Sequence, residues 1–135
     1  MISLLITPSA QNDLDELWDI DEDSAAEIET ALEEISHDAT LMGRLTERRF
    51  RHVPAPSFDT DRFVALWQKG LNLYRLKFWD WQGGIVPYRV IYAHNPTTDT
   101  MYVLAVVSRE FNYDIRHPIV TRVRTEYERL GIPTY

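Results

Sequence analysis

The chain has 135 residues and contains no cysteine, so disulfide frameworks, thiolate metal sites and a cysteine nucleophile are excluded. The length suits a single domain, residues 1–135, that buries a core without such cross-links. The formal net charge of −7 argues at first sight against a nucleic-acid partner, because phosphate contacts require Lys and Arg.

The first third of the chain is predicted to form a strand and a helical hairpin. Residues 2–7 alternate in polarity as a strand does, and Thr7-Pro8 supplies an N-cap hydroxyl and a proline at the first helical position. A first helix should therefore extend from Pro8 to about residue 19. Ser24 followed by Glu27 matches a capping box, which predicts a second helix that ends near residue 37.

Charge is distributed unevenly along the chain. Residues 1–38 contain twelve acids and no Lys or Arg, whereas residues 39–135 contain the other nine acids and all 14 bases. This split predicts a segregated surface, although a solvated acidic face without function is the simpler interpretation. Met1–Ile6 lacks a basic flank and no apolar run approaches ~18 residues, so we expect no targeting segment, no membrane span and a cytoplasmic location.

The remainder of the chain is predicted to be mainly sheet. Residues 38–61 should form a loop with a helical turn near residues 41–45. The apolar period then changes from about 3.6 to 2, which predicts an antiparallel meander with strands over residues 62–68, 71–79, 87–94 and 101–108. The last of these is almost continuously apolar, as a strand buried on both faces would be.

A C-terminal helix should follow this meander. Pro118 is placed to open it, and Gly131 and Pro133 are placed to end it. The predicted fold class is therefore α+β. It consists of an N-terminal strand, a two-helix hairpin, an antiparallel meander of four or five strands and a C-terminal helix, with the helices on one face of a curved sheet.

Four cations of the predicted meander could share one sheet face. Arg75 and Lys77 are two residues apart on one strand, Arg89 lies on the next strand, and Arg109 follows the last. Crowded like charges are tolerated mainly where an anion binds. Alternatively, each Arg reaches solvent or pairs with a local acid such as Asp80, Asp99 or Glu110.

The remaining chemical groups give weaker signals. The four histidines show no HxxxH or HExxH spacing, so no metal site is expected. Trp67, Trp79 and Trp81 are expected to cluster around the β-hairpin whose turn is Gln82-Gly83-Gly84, where packing is their simplest role. If exposed, Trp79 and Trp81 could stack on RNA or bury against a partner.

Three segments in order resemble the RelE/ParE family of bacterial toxins. They are Leu73-Tyr74-Arg75-Leu76-Lys77-Phe78, Tyr88-Arg89-Val90-Ile91-Tyr92 and Val103-Leu104-Ala105-Val106-Val107-Ser108-Arg109-Glu110. The segment Ile6–Leu14 also resembles that family's first strand and helix start. The ordered set covers most of the chain, and its basic residues favour the RelE-like branch.

The resemblance to the RelE branch implies a toxin of a type II toxin–antitoxin system that cleaves mRNA on the ribosome without a metal or other cofactor. The 2′-hydroxyl would attack the adjacent phosphate and leave a 2′,3′-cyclic phosphate. By this resemblance, Arg75 and Lys77 match the family's paired basic residues, and Arg89 matches its phosphate-binding Arg. Arg109 matches the family's Arg after the last long strand, and Tyr113 matches its catalytic or stacking Tyr.

The proton-transfer groups are less clear from the sequence. Arg75 is a poor proton shuttle because an Arg pKa lies above ~12, so Lys77 with a lowered pKa, His94 or His117 would have to serve. We also expect Trp79, Trp81 and His117 to contact the substrate.

The resemblance further implies a cognate antitoxin, held with the toxin in a hetero-oligomer, whose acidic segment covers the basic site. Two other interpretations stay open. One is a ParE-like gyrase inhibitor that cuts no RNA. The other is a degenerate, non-enzymatic protein-binding module, which the overall acidity and the absence of a clear general base support.

Overall fold

Six strands form one sheet in the computed structural model, which describes residues 2–80, 82–111 and 113–135. The elements in chain order are β1 (Ser3–Ile6), α1 (Pro8–Ile20), α2 (Glu22–Ser36), α3 (Ala39–Arg44), β2 (Phe50–His52), β3 (Phe58–Arg62), α4 (Val64–Trp67), β4 (Leu73–Trp79), β5 (Ile85–Asn95), β6 (Thr100–Ser108) and α5 (Pro118–Arg129). The strand order is β1-β6-β5-β4-β3-β2. β1 runs parallel to β6 and the other neighbours are antiparallel. The predicted α+β class is confirmed.

The N-terminal hairpin forms largely as predicted. The hydroxyl of Thr7 accepts a hydrogen bond from the backbone N–H of Ala10 at 3.3 Å, and Pro8 occupies the first helical position of α1. The prediction that Ser24 opens the second helix is wrong. Asp21 caps α2 instead, because its carboxylate accepts hydrogen bonds from both the N–H and the hydroxyl of Ser24, at 3.1 and 2.7 Å.

The two faces of the sheet carry separate cores. Along β4, Tyr74, Leu76 and Phe78 pack with α1, α2 and α3, whereas Leu73 packs with α5. The prediction of helices on one face is therefore wrong, because α5 lies on the face opposite the hairpin. β6 requires this arrangement, since its apolar side chains enter both cores and both must be removed from water. Among the described residues, no helix is long and apolar enough to cross a membrane.

The segment between the hairpin and β4 differs most from its prediction. The helical turn near residues 41–45 is confirmed as α3, but residues 50–62 contain β2 and β3 rather than a loop. The predicted strand over residues 62–68 ends at Arg62, and the chain then forms the helical turn α4. Phe63 and Leu66 are both buried in the α5-side core, and a spacing of three residues brings them to one side of a helix but not of a strand.

An ion pair closes the edge of β6 that extends beyond β1. Asp13 on α1 and Arg122 on α5 meet there in a bidentate pair, with oxygen–nitrogen distances of 3.0 and 2.6 Å. Asp13 also accepts the N–H of Val106 at 3.0 Å, and Arg122 donates to the carbonyl of Leu104 at 3.2 Å. The pair thereby joins helices on opposite faces and satisfies edge backbone groups that would otherwise lack partners.

Replacement of Asp13 should therefore destabilise the fold. Asp13→Ala leaves the Arg122 guanidinium without its carboxylate and the Val106 N–H without an acceptor, so we expect the free energy of unfolding to fall by about 2 kcal/mol. Urea denaturation measures this change. Asp15→Ala is the matched control, because within the described residues that carboxylate bonds an exposed Gln11 side chain, and its effect should stay within about 0.5 kcal/mol. Equal effects of the two variants would contradict this account of the edge.

Candidate functional site

The four predicted site cations lie on the sheet face opposite the acidic hairpin or directly beside it. Lys77 on β4 is directly opposite Arg89 on β5, and Arg75 shares their face because it is two residues from Lys77. Arg109 follows β6, and its backbone N–H donates to the carbonyl of Pro87 at 3.0 Å, which holds it beside the start of β5. We call these residues (Arg75, Lys77, Arg89 and Arg109) the cationic face.

Crowding and burial act together on the charges of the cationic face. Burial lowers the pKa of Lys77, and the neighbouring positive charges of Arg75 and Arg89 lower it further. Burial also lowers the pKa of Arg89, whose side chain is 8% exposed and donates to the backbone carbonyls of Val86 and Tyr88, each at 3.3 Å. No ion pair joins Lys77 or Arg89 to any acid that the structure describes.

Two carboxylates on β3 neutralise part of this charge. The guanidinium of Arg75 lies 2.7 Å from a carboxylate oxygen of Asp59 and 3.8 Å from one of Asp61. The acids expected from sequence have other roles: Asp80 accepts N–H groups of its own turn, and Asp99 contacts His94. Asp59 and Asp61 were not expected as partners of Arg75, because residues 38–61 were predicted to form a loop. Their alternation with the buried Phe58 and Thr60 was the available signal.

Tyr113 brings a phenol to the cationic face. Its backbone has a positive φ of 59°, and its ring packs edge-on against Phe63 at 4.9 Å and in a tilted contact with Phe111 at 5.0 Å. The hydroxyl is buried and has no hydrogen-bond partner in the described part of the chain. Burial raises the pKa of Tyr113, although Arg75 and Arg89 oppose this effect. The phenol therefore stays protonated near neutral pH, beside an open cavity of about 440 Å³ that Arg75 also lines.

The two histidines proposed as bases have structural contacts. The ring Nδ1 of His117 accepts the N–H of Ile119 at 3.1 Å and so caps α5. His94 lies five residues beyond Arg89 on β5, roughly 17 Å along the strand, and its ring contacts Asp99 at 3.3 Å. The structure does not bring His94 to the cationic face, and substrate contact by His117 stays a prediction.

The tryptophans do not cluster as the sequence suggested. Trp67 lies in α4 and packs against Tyr74 and Tyr135, so its expected place at the β4–β5 hairpin is wrong. Trp79 ends β4, with the guanidinium of Arg51 over its ring at 4.4 Å. Trp81 lies outside the described residues.

The fold and the site define a small α+β domain in which an acidic helical hairpin covers one face of the sheet and a cluster of cations lies on the other. Residues 4–113 match the family model described as the ParE toxin of the type II toxin-antitoxin system, parDE. The chain belongs to this family and is a type II toxin, which implies a cognate antitoxin as its partner. Comparisons with curated proteins and with solved structures gave no match.

The family match bears on the earlier resemblance in two ways. It confirms that the chain belongs to the RelE/ParE family, and it does not distinguish RNA cleavage from gyrase inhibition. It also ends at Tyr113, so the cationic face lies within the matched region and α5 lies beyond it.

The influence of Asp59 on Lys77 can be measured directly, because Lys69 and Lys77 are the two lysines of the chain. The Asp59 carboxylate raises the pKa of Lys77 against the stronger lowering effects. Asp59→Asn should therefore lower this pKa further, so that the neutral amine appears at lower pH. A ¹³C NMR titration of the Lys77 side chain measures the change, with the Lys69 resonance as internal reference. Glu110→Gln is the control, and an unchanged Lys77 titration in Asp59→Asn would contradict the assigned geometry.

Proposed function

We propose that this toxin is an endoribonuclease that cleaves mRNA on the ribosome by attack of a 2′-hydroxyl on the adjacent phosphate. The observation that supports this proposal is the convergence of Arg75, Lys77, Arg89 and Arg109 with the unpartnered Tyr113 hydroxyl on one sheet face. Arg89 retains a charge that no described carboxylate pairs, which suits a phosphate ligand.

The reaction needs charge stabilisation and two proton transfers. The 2′-oxygen forms a bond to phosphorus, the bond from phosphorus to the 5′-oxygen breaks, and a 2′,3′-cyclic phosphate remains. Negative charge grows on the non-bridging oxygens in the transition state, where fixed guanidinium donors stabilise it most. Arg89 and Arg109 fill this role, and Arg75 adds to it although Asp59 and Asp61 share its charge.

Lys77 and Tyr113 are suited to opposite proton transfers. The lowered pKa of Lys77 increases the fraction of neutral amine, which can take the proton of the 2′-hydroxyl. The raised pKa of Tyr113 keeps the phenol protonated, so that it can donate to the leaving 5′-oxygen. Acid–base catalysis requires one group that can accept a proton and one that can donate it, and environments that shift two pKa values in opposite directions provide such a pair.

Delivery of the substrate by a ribosome fits the charge distribution. The acidic hairpin and the small cationic face lie on opposite sides of the sheet, so an approaching RNA meets net negative charge over much of the surface. Few phosphate contacts give weak non-specific binding at physiological salt. A ribosome that holds the mRNA in a fixed orientation would offset this weak binding, because the substrate is then already positioned for reaction.

Cleavage of mRNA by the purified toxin in a reconstituted translation system tests the proposal. We expect cleavage by the wild type and a loss of about 10²–10³ in rate for Arg89→Ala, since one donor to the transition-state charge is removed. Arg124→Ala, an exposed change on α5, should leave the rate unaltered. An inactive wild type, or full activity in Arg89→Ala, would refute the proposal.

Inhibition of DNA gyrase is the second candidate, because the matched family carries the ParE description. A supercoiling assay with the same protein separates the two functions. Gyrase inhibition together with intact mRNA would favour this candidate over the nuclease.

Tyr113→Phe should separate catalysis from stability. The variant keeps the ring that packs on Phe63 and Phe111, yet removes a buried hydroxyl that lacks a partner. Its free energy of unfolding should stay equal or rise by about 1 kcal/mol, because an unsatisfied buried hydroxyl is costly. Its cleavage rate should fall by about 10² if the phenol protonates the leaving oxygen. Loss of activity with a matching loss of stability would contradict this role.

A further inference from the structure

A row of polar side chains crosses four strands on the face that holds the cations. Arg51 on β2 is directly opposite Asp59 on β3, Asp59 is opposite Lys77 on β4, and Lys77 is opposite Arg89 on β5. Directly paired residues share a face, so Arg51 lies on the same side of the sheet as the cationic face, nearer the far edge. Arg51 lies two strands from Lys77, roughly 10 Å away.

Arg51 forms a stacked pair with Trp79 at this edge. Its guanidinium carbon lies 4.4 Å from the centre of the Trp79 ring, the Arg51 side chain is exposed and Trp79 is half-buried. Ile85, which pairs with Trp79 in the sheet register, is 40% exposed and extends the apolar surface. An aromatic and guanidinium surface thus lies at the sheet edge next to the cationic face, where Arg51 and Trp79 also line an open cavity of about 410 Å³ with Glu27 and Glu34 of α2.

Another arginine–aromatic pair in the chain is less available to a ligand. Arg44 lies over the ring of Phe50 at 5.4 Å, but it also forms an ion pair with Glu47 at 2.7 Å, and Phe50 packs edge-on against the buried Phe58. Arg51 has no carboxylate within ion-pair distance among the residues that the structure describes. The outer face of the Arg51 guanidinium is therefore available to a ligand.

We propose that Arg51 and Trp79 form a stacking subsite for an RNA base one nucleotide removed from the scissile phosphate. This inference rests on the proposed nuclease function and extends it to a residue, Arg51, outside the cationic face. Guanidinium and indole planes both stack on unpaired bases. The distance of roughly 10 Å from Lys77 suits a neighbouring nucleotide rather than the scissile phosphate itself.

Asp59 gives the subsite its preference for a base. Its carboxylate lies between Lys77 and Arg51 in the cross-strand row and is held there by Arg75 at 2.7 Å. A phosphate placed over Asp59 would meet a like charge, so the RNA backbone stays at the Arg89 end of the row. The adjacent base, which carries no charge, is the part of the nucleotide that can reach Arg51 and Trp79.

Two measurements test the subsite, and the first is single-turnover cleavage on ribosomes programmed with mRNA. Trp79→Ala and Arg51→Ala should each lower kcat/KM by about tenfold, which is within the range for loss of one stacked base. An abasic nucleotide placed in turn on either side of the scissile phosphate should reproduce this loss at one position. At that position Trp79→Ala should cause no further loss, because the stacking partner is already missing.

The second measurement is direct binding of a short fluorescent 2′-O-methyl oligonucleotide, which cannot react because its 2′-oxygens are blocked. Trp79→Ala should weaken binding by about tenfold without changing the salt dependence, since stacking releases no counterions. Trp79→Phe and Arg51→Lys show whether the ring and the guanidinium plane are required, and thermal unfolding shows whether each variant is folded. Arg44→Ala and Trp18→Ala are matched controls on the hairpin side.

The outcomes separate this inference from the proposed function. Absence of cleavage together with Trp79-dependent oligonucleotide binding would refute the proposed nuclease function but support the stacking subsite. Cleavage and binding that are unchanged in Trp79→Ala and Arg51→Ala would refute the stacking subsite but support the proposed nuclease function. A loss that is the same for intact and abasic RNA, or an absence of any oligonucleotide binding by the wild type, would also overturn the subsite.

Discussion

The ion pairs between Arg75 and the β3 carboxylates allow four cations to share one sheet face. Without Asp59 and Asp61, Arg75 would lie beside Lys77 and close to Arg89 with no counter-charge, and repulsion in a half-buried setting would oppose the pairing of β4 with β5. The compensation is partial, because the pKa values of Lys77 and Arg89 remain lowered. The structure thus supplies counter-charge to Arg75 and leaves Lys77 and Arg89 without a carboxylate partner among the described residues.

The sheet itself separates this potential from the acidic hairpin. Side chains of adjacent residues point to opposite faces, so β4 places Tyr74, Leu76 and Phe78 against the helices and Arg75 and Lys77 on the other side. The hairpin then adds its own thickness, and charges across the two layers are farther apart than the Debye length of about 8 Å. The net charge of −7 therefore describes neither face, and its apparent exclusion of a nucleic-acid partner does not hold.

The parts of this arrangement that depend on local pattern could be predicted from the sequence. Thr7-Pro8 and Pro118 mark helix starts through their own backbone chemistry, and the alternation along β4 is long enough to assign faces. β2 and β3 have three and five residues and are separated by a segment with Pro54 and Pro56, so their pattern is too short to distinguish from a loop. The counter-ions of Arg75 were missed with them. The environment of Tyr113 could not be predicted from local pattern either, because its contact with Phe63 joins residues fifty positions apart.

An antitoxin segment that covered the cationic face would occupy the opening that the proposed RNA substrate needs. α5 and α4 cover part of the face that holds the cations, since their buried side chains share a core with Leu73 and Ile91. The uncovered part extends from Arg109 across Lys77 to Arg51, and Lys77 and Arg89 have no carboxylate partner there among the described residues. A partner segment with carboxylates at these positions would complete the ion pairs that β3 supplies only to Arg75, as a scissile phosphate would. With such a partner, neutralisation would need no change in the toxin's fold, because occupation of the unpaired charges would exclude the proposed substrate.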